Sequence, residues 1–116
     1  HELVERILHP GLPGCDGHEH FNRDFDSGNG LFSFIFKQTS PNAIAAMIDG
    51  MTHFKMGFSW GGFESLILPV DRSVAQRQVR PWPEYKKIMR LHIGLEDPDD
   101  LIQDLALGFQ RFKEAL

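Results

Sequence analysis

The sequence predicts an α/β chain, an α+β two-layer arrangement with helices on one face of a small mixed or antiparallel sheet. Three observations point there. Segments with the period of two that marks strands alternate with segments of helical period. Clusters rich in Gly, Pro and Asn separate them. The resulting order of strand, helix, strand, helix, two strands, strand, helix suits helices layered on a single sheet. At 116 residues the chain has the size of one domain around one core.

Val4 to Leu8 alternates weakly and stops at His9-Pro10-Gly11-Leu12-Pro13-Gly14, where two prolines and two glycines forbid regular structure. Phe21 and Phe25, four apart in the polar stretch from Gly17 to Phe25, predict a short helix with both rings on one side. The turn cluster Ser27-Gly28-Asn29-Gly30 opens the strand Leu31 to Phe36, the densest aromatic run. Ser40-Pro41 reads as a cap and first residue of a helix to about Asp49, with Ile44, Met47, Ile48 and Met51 at helical spacing.

Phe54 to Phe58 and Ser65 to Val70 predict two short strands around Ser59-Trp60-Gly61-Gly62, with Pro69 near a sheet end or edge. Asp71 to Tyr85, polar and broken by Pro81 and Pro83, predicts a surface excursion. Ile88 to Ile93 alternates as a half-buried strand, Met89, Leu91 and Ile93 on one side, Arg90 and His92 on the other. Asp97-Pro98-Asp99-Asp100 starts a last helix whose apolar stripe is predicted as Ile102, Leu105, Phe109, Phe112 and Leu116.

Composition narrows the function classes. Apolar residues at 41% and charged residues at 24% are values of a folding chain rather than a disordered one. A formal charge of −4 with scattered Lys and Arg argues against nucleic acid as a partner. Cys15 is the only cysteine, which excludes an intrachain disulfide and fits a reducing compartment, the cytoplasm. No apolar run is long enough for a membrane helix. His1 is not an initiator methionine and strand-like sequence begins almost at once, which points to a segment cut from something longer.

Among candidate sites, Ser59-Trp60-Gly61-Gly62 stands out: paired glycines let the backbone approach a ligand, while Ser and Trp offer a polar group and an apolar wall. Spacing alone favours a bulge or tight turn. Arg90 in mid-strand suits a bidentate grip on a carboxylate, or a structural ion pair. Cys15, His18 and His20 have no obvious fourth ligand and no usual zinc spacing, so no metal is expected. His9, His53 and His92 read as hydrogen-bonded structural residues. Gly28-Asn29-Gly30 leads into a strand, so it lacks the helix that holds phosphate. The Phe residues at 32, 34, 36, 54 and 58 are assigned to the core.

Taken together, Ser59-Trp60-Gly61-Gly62-Phe63-Glu64-Ser65-Leu66, Arg90-Leu91-His92-Ile93-Gly94-Leu95-Glu96-Asp97 and Asp99-Asp100-Leu101-Ile102-Gln103-Asp104-Leu105 resemble the Cys/Met metabolism enzymes that use pyridoxal 5'-phosphate (PLP), in particular the bacterial cystathionine β-lyase type. The likeness runs upstream through Val4-Glu5-Arg6-Ile7-Leu8-His9-Pro10, Gly17-His18-Glu19, Arg23-Asp24-Phe25 and Gly30-Leu31-Phe32-Ser33-Phe34, nearly the whole chain.

The resemblance implies the carboxy-terminal domain of a fold type I PLP enzyme. Arg90 would bind the substrate α-carboxylate, and Ser59 and Trp60 would line the substrate pocket. The reaction implied is Cα proton abstraction from cystathionine with PLP as electron sink, then loss of homocysteine and release of pyruvate and ammonia. The Schiff-base lysine and the other cofactor-binding groups would lie in a large domain upstream, since Lys37, Lys55, Lys86, Lys87 and Lys113 match no family motif. The chain alone would then be inactive, and its parent a homotetramer. Relatives of γ-synthase and γ-lyase type usually carry leucine at the position of Trp60, which tilts the reading toward β-elimination. A domain of such a γ-type enzyme, or a non-catalytic binding module, remains the alternative.

Overall fold

A computed structural model of the chain describes residues 1–58, 60–70 and 86–116. Ser59 and the excursion expected over Asp71 to Tyr85 lie outside the described residues. The elements in chain order are β1 (Val4–Leu8), α1 (His18–Asp24), β2 (Leu31–Phe36), α2 (Pro41–Asp49), β3 (Lys55–Met56), β4 (Leu66–Pro69), β5 (Ile88–His92) and α3 (Pro98–Glu114). The five strands form a mixed sheet in the order β1-β2-β5-β4-β3. Only β3 and β4 run parallel; the other pairs are antiparallel.

Strand parity assigns the two faces. Phe34 pairs with Met89, and Ile67 with Leu91; these four are buried together with Met47 of α2 and Phe112 of α3 in one core. Phe36 stacks on Phe112 at 4.0 Å between ring centroids, nearly parallel. Helices α2 and α3 therefore cover one face, as the layer pattern predicts, while α1 buries no residue. Its Phe21 and Phe25 do stack at 5.5 Å, the outcome expected from their spacing.

Both long helices start where the sequence marks them. The Ser40 hydroxyl accepts the Ala43 N–H at 3.1 Å, and the Asp97 carboxylate accepts the Asp99 N–H at 2.8 Å. Each cap is followed by proline at the first helical position, where its missing N–H costs nothing. Acids in the first turn of α3 and Arg111 and Lys113 in its last complement the helix dipole.

The apolar stripe predicted for α3 needs correction. Ile102 and Leu116 are exposed, and the buried line is Leu101, Asp104, Gly108 and Phe112, with Leu105 and Phe109 on its flank. Polar chemistry turns the helix. Asp104, only 4% exposed, accepts the backbone N–H groups of Thr52, His53 and Phe54 at 2.8 to 3.2 Å. A Cβ on Gly108 would lie 2.7 Å from Met51 Cε, so glycine sets the approach of α3 to the end of α2. Arg111 donates to the Ala46 and Met47 carbonyls, both at 3.2 Å, filling acceptors that a helix end leaves open.

β5 also differs from its expected half-buried state. It lies between β2 and β4, and Ile88 and His92 on the face away from the helices are as buried as Met89 and Leu91. The strand at 54–58 shrinks to Lys55–Met56. That brevity explains Pro69: β3 pairs only Leu66 and Ile67, so the proline sits past the ladder on that side.

Burial raises the Asp104 pKa, but the three backbone hydrogen bonds outweigh it and hold the carboxyl below its ordinary value. A lowered carboxylate pKa contributes stability that is present above the unfolded value and lost as pH falls through the folded one. Asp104→Ala is expected to cost roughly 3 kcal/mol, since a charged acceptor goes and three amides lose their partner. Urea melts of this variant should also lose part of the wild-type decline in stability below roughly pH 5; an unchanged acid limb would mean that Asp104 does not carry it.

Candidate substrate-binding face

Arg90 occupies the middle of β5. Its cross-strand partners are Ser33 on β2 and Leu68 on β4, and parity turns its side chain away from the helix-covered core. The guanidinium carbon lies 5.7 Å from the centroid of the Phe58 ring, a cation–π distance. A strand bonded on both sides cannot shift its side chains without breaking two ladders, so this cation is held on rigid backbone.

Phe58 begins the turn that joins β3 to β4. The sequence assigns it to the core with Phe34, Phe36 and Phe54, yet it is 86% exposed. The reason is that β3 ends at Met56, so Phe58 has left the alternation that would bury it. Trp60 is 84% exposed, and Phe63 and Leu95 also face outward. The turn thus presents apolar rings beside the one face of the sheet that carries a mid-strand arginine.

Hydrogen bonds fix the far end of this turn. The Glu96 carboxylate accepts the Ser65 N–H and the Ser65 hydroxyl, each at 2.7 Å. The Ser65 Oγ accepts the Gly94 N–H at 2.9 Å, and the Phe63 carbonyl accepts the Leu95 N–H at 2.9 Å. Ser65 is fully buried. The bond from the Ser65 N–H lowers the Glu96 pKa, burial opposes it, and the hydroxyl bond adds to the lowering. A Cβ at Gly94 would strike the Phe63 carbonyl oxygen and lie 2.6 Å from the Glu64 carbonyl carbon. The segment after Arg90 and the end of the Trp60 turn are in this way stitched together.

Of the residues singled out in the sequence, Arg90 and Trp60 are described and Ser59 is not. The structure brings Arg90 to Phe58, two residues before Trp60. Sequence reasoning assigned Phe58 to the core and gave no role to Ser65, Gly94 or Glu96. The signal for the last three was present in the quoted motifs, where a glycine and an acid follow the arginine strand at fixed steps.

Of the remaining candidates, His18, His9 and Asn29 make local hydrogen bonds. His18 donates through Nδ1 to the Pro10 carbonyl at 2.8 Å and accepts the Asn22 amide on Nε2, also at 2.8 Å, so both ring nitrogens are taken. Among the described residues no group of three His, Cys, Asp or Glu side chains is placed to hold a metal. His9 accepts the Gly11 N–H at 3.0 Å and sits edge-on to Phe21 and Phe32. Asn29 accepts the Leu31 N–H at 2.9 Å, which makes the Gly28–Gly30 turn an entry into β2.

Three of the lysines are engaged in local contacts. Lys55 bonds the Thr52 carbonyl, Lys87 the Lys37 carbonyl and Lys113 the Glu2 carboxylate, all at the surface. The N-terminus of α3 carries Asp97, Asp99 and Asp100, whose charge repels a phosphate, and that of α2 is capped by Ser40.

The family model for the Cys/Met metabolism PLP-dependent enzyme matches residues 1–110. The chain belongs to this family. It is 47% identical to cystathionine beta-lyase of Escherichia coli (strain K12), over 96% of this chain and 29% of that protein. Identity to cystathionine gamma-lyase of Sus scrofa is 34%, over 90% of the chain and 27% of that protein. A crystal structure of cystathionine gamma synthase from Xanthomonas oryzae pv. oryzae, in complex with aminoacrylate and cysteine, superposes with a TM-score of 0.83 at 30% identity, covering all of this chain and 31% of that one. The chain thus spans less than a third of the relatives that it matches in this family. Among the described residues no helix is long and apolar enough to cross a membrane.

The stitched turn yields a contrast between two glycines of the family motif. Gly94→Ala is expected to cost roughly 1–3 kcal/mol, because its neighbours are backbone and cannot move aside. Gly61→Ala, whose Cβ meets nothing within 4 Å among the described residues, should stay within about 0.5 kcal/mol. Denaturant midpoints of the two variants measure the difference; equal losses would refute the stitched arrangement.

Proposed function

We propose that residues 1–116 form the substrate-binding carboxy-terminal domain of a longer PLP-dependent carbon–sulfur lyase that converts cystathionine to homocysteine, pyruvate and ammonia. The observation that carries the reading is Arg90: a guanidinium on a central strand, on the face away from the helices, beside an outward aromatic turn. Its planar fork matches a carboxylate through two parallel hydrogen bonds, and every amino-acid substrate offers one.

In this reading Arg90 binds the substrate α-carboxylate, and Ser59 and Trp60 line the pocket. The Trp60 indole supplies an apolar wall that excludes water and shapes the space for the sulfur-bearing side chain. PLP, bound by the rest of the protein, supplies the electron sink; this chain supplies grip and orientation and is inactive by itself. The full protein would work as a cytoplasmic homotetramer in methionine biosynthesis, with most of its subunit interface outside this chain.

A γ-type activity is the second reading, supported by the likeness to cystathionine gamma-lyase and cystathionine gamma synthase. Trp60 favours the β-lyase. The two differ in product, pyruvate against 2-oxobutyrate.

Arg90→Ala in the full-length enzyme is expected to lower kcat/KM for cystathionine roughly a hundredfold or more, because a charge-assisted pair of hydrogen bonds to the substrate is lost. Arg90→Lys should fall between, keeping the charge without the fork. Near-normal turnover by the alanine variant would end the assignment. For the cofactor, the purified chain mixed with PLP should show no borohydride-reducible band in its visible spectrum. A stoichiometric adduct on one lysine would move the cofactor role into this chain.

A further inference from the structure

His92 follows Arg90 by two residues on β5, and parity places both side chains on the same face of the sheet. It is only 6% exposed. Its Nε2 lies 3.3 Å from the Gly62 carbonyl oxygen, and its Nδ1 is buried with no hydrogen-bond partner among the described residues. A buried imidazole that satisfies one nitrogen and leaves the other bare is a poor choice for stability alone, since an apolar side chain of similar size would bury without that cost.

The one bond it does make has a defined target. Gly62 holds φ at 150°, a region that an L side chain rarely adopts, and its carbonyl meets the ring of the residue that shares a face with Arg90. Gly62 comes two residues after Trp60, upstream of the Ser65–Glu96 stitch. The His92 bond is thus a tie on the segment from Trp60 to Gly62 itself, ahead of the stitch at Ser65.

We propose that His92 is a positioning residue: through its Nε2–H bond to the Gly62 carbonyl it fixes the Trp60 turn at a set distance from Arg90, and so sets how tightly an amino-acid substrate is gripped between them. The inference rests on the substrate-binding reading given above. His92 itself touches no reacting atom.

The test is a comparison of His92→Leu, His92→Gln and Arg90→Ala in the full-length enzyme, with KM and kcat for cystathionine measured separately. Leucine fills the site without a donor and is expected to raise KM about tenfold while kcat moves less than about threefold, the pattern of lost uniform binding. Glutamine, whose amide can donate to the Gly62 carbonyl, should restore KM to within about threefold. If the leucine variant does not fold, His92→Thr takes its place, keeping strand preference with no reach to Gly62. A second readout is independent of turnover. In this chain with Trp82→Phe, which leaves Trp60 as the only tryptophan, fluorescence anisotropy should fall when His92 is replaced by leucine and hold with glutamine.

An unchanged KM together with unchanged anisotropy in the donor-less variants would overturn the proposal. An Arg90→Ala enzyme with normal kcat/KM would overturn the binding reading beneath it. The anisotropy would then still report whether His92 ties the turn, so the two failures are distinguishable.

Discussion

Asp104 is the joint between the helical layer and the sheet. One carboxylate on α3 accepts three successive backbone N–H groups at Thr52, His53 and Phe54, where the chain leaves α2 and enters β3. Such a corner has no helix or ladder to satisfy its amides, and burying them without a partner is costly. The same side of α3 then admits Met51 at Gly108 and caps α2 through Arg111. Three residues of one helix face thus define where β3 begins, and β3 defines where the aromatic turn leaves the sheet.

The turn is fixed at its other end by a second carboxylate. Glu96 holds Ser65 by backbone and hydroxyl, and Ser65 in turn receives the Gly94 N–H. Between the two anchors Phe58, Trp60 and Phe63 project outward. Exposed aromatic rings on a loop would ordinarily collapse onto the nearest apolar surface. Here the first of them, Phe58, lies against the Arg90 guanidinium. Rigid ends with outward side chains between them are what a binding wall requires, because the entropy of ordering the loop is met in folding rather than at the binding step.

Much of this was legible in the sequence. Ser40-Pro41 and Asp97-Pro98 marked two helix starts that the structure reproduces, and the alternation of Ile88 to His92 put Arg90 on the correct face. The misreadings share one physical origin. Periodicity records which residues are apolar, not which polar residue is buried for its hydrogen bonds. Asp104 leaves no mark in it, so the spacing predicts a stripe on α3 through Ile102 instead of Leu101 and Asp104. Phe58 was placed in the core because a strand was assumed to continue; its end at Met56 depends on the Asp104 corner and the Ser65 stitch, contacts 50 and 31 residues apart in sequence. Gly94 and Glu96 stood in a motif whose spacing could be quoted, but whose bonds needed three dimensions.

The same architecture also locates where reactions can diverge. A fold by itself does not encode one chemistry. A change at Phe36, Met89 or Phe112 would have to be absorbed by a close-packed core, at a cost of kilocalories. A change at Trp60, most of whose surface is in solvent, requires no repacking at all. An exposed side chain on an anchored turn is the cheapest place to alter the shape of a pocket while Arg90 stays where the sheet holds it. Under the proposed function, the physics separates a rigid grip on the group common to all amino acids from a replaceable wall facing the part that differs.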